Sequence, residues 1–173
     1  MSKTTLKKAL AGFGEPELRQ LILDIYSKSK DARELLDFYA EPDIESKTEE
    51  YERLIDKEAG RMKRRVHRPR MSVIRGYIRR FSSLEPGDEY VARLMVHTSG
   101  RLMEIGAEDF LPQTTNDQAV RFIAETISYL SSRRMLDGYL PRLGRMAEKM
   151  RPKIGSYGNP LRATVTEMIE NAL

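Results

Sequence analysis

A chain of 173 residues, 40% apolar and 32% charged, is long enough for one domain with its own core and too rich in aliphatic side chains to be a disordered polyelectrolyte. The absence of cysteine excludes disulfides, thiol nucleophiles and thiolate metal sites, and suggests a reducing compartment. The net charge of +4 is local in origin: residues 61–80 hold nine Lys or Arg and no acid, and the remainder of the chain is net negative.

Taken in chain order, apolar residues recur every three to four positions almost throughout. Leu18, Leu21, Ile22 and Ile25 predict a helix behind Pro16. Asp31 and Glu34 have capping-box spacing ahead of a second helix carrying Leu35, Leu36 and Tyr39, which Pro42 ends. Residues 43–67 read as the longest helix, with Tyr51, Leu54, Ile55, Met62 and Val66 on its apolar side and His67-Arg68-Pro69 as its stop. Val73, Ile74, Tyr77, Ile78 and Phe81 mark the next helix. Another runs from about Asp88 to Gly106. A loop over Asp109–Thr115 precedes a helix capped by Asn116 and Asp117, and Asp137-Gly138 reads as its stop. Pro141 restarts a helix that Pro152 ends. Gly155-Ser156-Tyr157-Gly158 reads as a loop, and Asn159-Pro160 opens the last helix.

No period-2 strand and no 30–50-residue repeat stands out. The expectation is an all-α protein, one domain over residues 1–173, with about nine helices in a bundle or a stack of antiparallel helical hairpins. The longest apolar clusters fall far short of the ~20 residues that span a bilayer, and no apolar segment follows Lys7 and Lys8. A cytoplasmic protein without membrane insertion is expected.

The basic segment is the most distinctive chemistry. Arg61, Lys63, Arg64, Arg65, Arg68 and Arg70 could neutralise phosphates. A helix dipole would also explain them, because eight acids in Glu41–Glu58 precede them and bases suit the end of a helix. His67 and His97 lie thirty residues apart without metal-ligand spacing, although Glu104 could share a face with His97. No Gly-x-Ser-x-Gly elbow accompanies the serines. Gly12-Phe13-Gly14 lacks the third glycine and the strand of a dinucleotide loop, and Gly155-Ser156-Tyr157-Gly158 matches the Gly-x-x-Gly of an RNA-binding loop without the sheet that loop needs. No cofactor and no metal are expected, and no catalytic residue is assigned.

Several ordered segments carry a resemblance. They include Thr5-Leu6-Lys7-Lys8, Leu21-Ile22-Leu23-Asp24-Ile25-Tyr26, Leu35-Leu36-Asp37-Phe38-Tyr39, Arg70-Met71-Ser72-Val73 and Leu84-Glu85-Pro86 followed by Val91-Ala92. Together they resemble a family of small bacterial proteins known only as a domain of unknown function. The resemblance implies a single cytoplasmic domain and carries no activity or site residue. Tyr157-Gly158-Asn159-Pro160 departs from the family's aromatic-glycine-aromatic segment, and Ala107–Gln113 departs from its glycine-acidic turn.

The leading functional expectation is a non-catalytic helical protein that binds a protein partner or itself, through the helix expected over 43–67. The alternatives are nucleic-acid or polyanion binding through residues 61–80, and an enzyme whose site assembles across helices.

Overall fold

A computed structural model describes residues 2–172. The described residues form nine helices and two two-residue antiparallel strand pairs, so the fold is all-α. The chain divides into two compact units, one ending at Asp43 and the other beginning at Ile44.

The first unit holds α1 (Lys3–Leu10), α2 (Glu15–Lys28) and α3 (Lys30–Ala40). Ser2 caps α1 by accepting from the Thr5 N–H at 3.2 Å, and Glu17 closes the start of α2 through the Gly14 N–H at 2.7 Å. The cap of α3 is Ser29, which accepts from Ala32 N–H, not the Asp31/Glu34 pair expected from spacing. α2 and α3 pack together, and the Tyr26 hydroxyl donates to Asp37 at 2.9 Å. No residue of the three helices is fully buried, and Ile22, Leu23, Ile25 and Leu35 are exposed.

The second unit is a stack of three helical hairpins: α4 (Ile44–Ala59) with α5 (Met71–Ser82), α6 (Asp88–Glu108) with α7 (Gln113–Ser132), and α8 (Leu136–Lys149) with α9 (Pro160–Glu170). α4, α6 and α8 follow one another in one layer, and α5, α7 and α9 in the other. Side-chain contacts give the directions. Glu45, Glu52 and Asp56 on α4 meet Arg93, His97 and Arg101 on α6 in ascending order, so the two helices run parallel. Gly100 and Gly106 likewise meet Met146 on α8 and Met150 just after its end. α7 runs antiparallel to α6, with the Ser99 hydroxyl donating to Thr126 at 3.0 Å in the core and Tyr129 and Arg133 bonded to Asp88.

α6 is the central helix. It is buried around most of its circumference, as an apolar stretch with small residues at its contact points should be. A Cβ on Gly106 would lie 2.4 Å from Leu161 Cδ2, so the absence of a side chain there sets how closely α9 approaches. Tyr51, Ile55, Ile74, Phe81, Phe122, Ile123, Leu130, Leu143 and Val165 complete the core.

Four further sequence expectations need correction. The helix expected over 43–67 ends at Ala59, and residues 62–67 form a β-hairpin, β1 (Met62–Lys63) with β2 (Val66–His67). Gly60, a poor helix former, stands at the break, and Arg64 and Arg65 take left-handed φ values of 54° and 63° that no helix continues through. The segment expected as a loop over Gly155–Gly158 belongs to a second hairpin, β3 (Lys153–Ile154) with β4 (Tyr157–Gly158), in which Gly155-Ser156 is the turn. Asp137-Gly138 lies inside α8, because α7 is stopped earlier: Arg134 adopts φ 57°, and the N–H groups of Arg134 and Met135 return to Ser131 and Leu130 carbonyls in a Schellman closure. α7 itself starts at Gln113 behind Pro112, three residues before the expected cap.

Candidate functional site

Because α4, α6 and α8 are parallel, the three connections that follow them emerge on one edge of the stack. They are the first β-hairpin, the α6–α7 turn around Pro112 and the second β-hairpin. Direct contacts join them. His67 Nε2 lies 3.7 Å from Glu108 Oε2 at the end of α6. The Asn159 amide donates to the Gly106 carbonyl at 2.9 Å and the Arg151 carbonyl at 3.1 Å, while its oxygen accepts from Arg162 N–H. The rings of Phe110 and Tyr157 meet edge to face with centroids 6.2 Å apart.

The two hairpins share a construction. In each, the residue before a proline returns its N–H at 2.9 Å to the carbonyl just ahead of the first strand: Arg68 to Arg61, and Asn159 to Pro152. They differ at the turn. Gly155, at φ 61°, supplies the left-handed residue of the second hairpin. In the first, both central positions are left-handed and both are arginine, where a two-residue hairpin turn of this kind favours Asn-Gly. Each non-glycine residue in such a conformation costs about 1–2 kcal/mol.

The structure divides the six basic residues expected to bind an anion. Arg70 is committed to the fold: Glu58, buried at the end of α4, accepts from its backbone N–H at 2.9 Å and from its guanidinium at 2.8 and 2.7 Å. These contacts hold the Glu58 carboxyl below its ordinary pKa, the side-chain hydrogen bond from Arg70 being the largest cause. Arg61 donates to the Arg68 carbonyl and braces the hairpin. Lys63, Arg64, Arg65 and Arg68 are exposed, and the chain carries no acid between Glu58 and Glu85. The helix-dipole explanation for the segment falls away with the helix.

The same edge carries residues that sequence reasoning left out. Arg151 and Lys153 are exposed on the second hairpin, which has no acid of its own, and Tyr157 and Phe110 are exposed beside them. Acids near the edge include Glu108, facing His67, Asp109, whose side chain accepts from Phe110 N–H, and Glu58, which is occupied by Arg70. A Gly-Ser pair between Lys-Ile and Tyr-Gly is a recognised hairpin signature and could have disclosed the second hairpin.

His97 lies away from this edge, in the seam between α4 and α6, with Nε2 2.8 Å from Asp56. Glu104 pairs with Arg101. A groove between α8 and α9 is lined by Leu140, Gly144, Glu148, Arg162 and Ile169, and the Arg162 Nε beside it is buried without a hydrogen-bond partner. Among the described residues no group of three or more His, Asp or Glu could hold a metal ion, and no helix is long and apolar enough to cross a membrane.

A sequence-family profile matches residues 1–153; its description is a family of unknown function, DUF6155. No curated protein and no solved structure matches the chain. The basic hairpin lies inside the matched stretch, and Tyr157 lies beyond it.

Proposed function

The chain belongs to DUF6155, a family of unknown function, and we propose that it works by binding nucleic acid along the hairpin edge of its helical stack. The observation that carries this reading is the first hairpin, whose four exposed cations project from an acid-free segment and include two arginines held in left-handed backbone. A residue kept in an unfavourable conformation where Asn-Gly would relax it points to a use for the side chain. Arginine at a turn tip offers a planar, permanently charged fork that suits phosphate oxygens.

Scale supports the same partner. Packed helices are spaced about 8–10 Å apart, so three successive connections make an edge about 20 Å long, enough to follow several phosphates. Binding of this kind releases counterions, and affinity falls steeply as salt rises. The test is a salt titration of oligonucleotide binding by the wild type and by a variant with Lys63, Arg64, Arg65 and Arg68 all changed to Ala. The variant is expected to lose most of its affinity and about three units of log–log salt slope on a single strand. Unchanged binding by a folded variant overturns the reading.

A second reading rests on the first unit, where Ile22, Leu23, Ile25 and Leu35 are exposed on helices that bury no residue completely. It is a protein partner or a second copy held by α2 and α3, in place of the helix that the sequence predicts over 43–67. Light scattering across a concentration series tests self-association, and a strictly monomeric protein leaves only the hetero-partner form.

A further inference from the structure

We infer that the hairpin edge takes unpaired nucleotides, with Tyr157 as the stacking platform and the cations of both hairpins on the phosphates. This inference rests on the nucleic-acid reading above and adds the state of the strand to it.

Four observations carry it. Tyr157 is 72% exposed and Phe110 is 39% exposed, although they touch each other and although Tyr51, Phe81 and Phe122 of the same unit are buried in its core. Their planes lie 67° apart, so the pair meets edge to face, and an edge-to-face pair covers at most one ring face. Tyr157 pairs across the second hairpin with Ile154, and Lys153 follows one position along that neighbouring strand, so the ring and an exposed cation belong to the same short hairpin. On the opposite side of the α6 terminus, Met62 is 54% exposed in β1, next to Lys63, so the first hairpin also sets an apolar side chain among its cations.

Bare aromatic faces interleaved with cations are what single strands use. Their bases present π-faces once they leave a duplex, and stacking is tolerant of sequence. A duplex keeps its bases stacked on one another and offers phosphate and groove edges instead. An edge made only for duplex phosphates would have no use for an exposed tyrosine. The aromatic pair joins the α6–α7 turn, which supplies Phe110, to the second hairpin, which supplies Tyr157 together with Lys153.

The test uses the full chain with a uridine or thymidine 15-mer, a duplex of equal length and inorganic polyphosphate, all at one salt concentration. The single strand is expected to bind more tightly than the duplex. Tyr157→Ala is expected to lose about ten-fold on the single strand and to leave duplex and polyphosphate binding unchanged, while Tyr157→Phe keeps wild-type affinity. Because the chain has no tryptophan, Tyr157→Trp supplies a single reporter, whose emission is expected to be quenched by the single strand and not by polyphosphate. Duplex binding equal to or tighter than single-strand binding, or a folded Tyr157→Ala variant with undiminished single-strand affinity, overturns this inference and leaves the nucleic-acid reading standing. Loss of binding to none of the three ligands in the four-cation variant overturns that reading instead.

Discussion

The carboxylate of Glu58 accepts three hydrogen bonds from one residue, Arg70, through its backbone N–H and two guanidinium nitrogens. This clamp fastens the end of α4 to the start of α5 and closes the base of the first hairpin. Glu58 is buried while the Arg70 side chain is more than half exposed, so solvent screens part of the attraction. Glu58→Ala is expected to destabilise the protein by about 1–3 kcal/mol in urea unfolding, because it leaves the part-buried Arg70 N–H without its partner. Glu58→Gln is expected to fall between the two.

The same clamp has a pH signature. The folded-state pKa of Glu58 lies below its unfolded value, so in the window between them the unfolded chain binds more protons and stability rises with pH. The contribution is present above the ordinary glutamate range and disappears as pH falls through the folded pKa. Denaturant midpoints measured from pH 7 downward are expected to drop less steeply in Glu58→Gln than in the wild type.

On the alkaline side the corresponding group is Tyr129. Burial and its hydrogen bond to Asp88 push its hydroxyl up to about 12. An unfolded chain then loses that proton first, so stability is expected to fall between about pH 10 and 12. Asp88→Asn is expected to bring one tyrosine of the ultraviolet titration back toward its ordinary range.

Replacing Arg64-Arg65 by Asn-Gly relaxes two left-handed positions at once. The double variant is expected to gain about 1–2 kcal/mol in stability and to lose affinity for nucleic acid at low salt. Chemical unfolding and anisotropy on the same preparation check both signs. A variant that is both more stable and undiminished in binding would remove the case for the strained turn.

Gly106→Ala sets helix propensity against crowding. Alanine favours the helix by about 1 kcal/mol, but its methyl would collide with Leu161 in a fully buried contact. Net destabilisation of about 1–2 kcal/mol is expected, and Gly106→Ala combined with Leu161→Ala should recover part of it.

The helices were legible because their apolar residues repeat at helical spacing, as in Val73, Ile74, Tyr77, Ile78 and Phe81. The stacking of hairpins followed from short connections. Residues 60–67 were not legible for a physical reason: two residues per strand are too few to show alternation, and Arg64-Arg65 carries none of the usual chemistry of a hairpin turn. A helical apolar phase continuing through Met62 and Val66 masked the break. The basic cluster was visible, but its division was not. Nothing in sequence spacing shows that Arg70 belongs to Glu58, or that Tyr157 comes to lie against Phe110 forty-seven positions earlier.

Asn159 ties three segments together, since its one carboxamide reaches the end of α6, the entry to the second hairpin and the first turn of α9, and it is almost wholly shielded from water. Such a rivet holds the hairpin edge in place within the fold, so a partner of the kind proposed would meet it already formed. Little ordering entropy is then left for the encounter itself, so association should be rapid and nearly rigid-body, with selectivity expressed in how long a complex lasts.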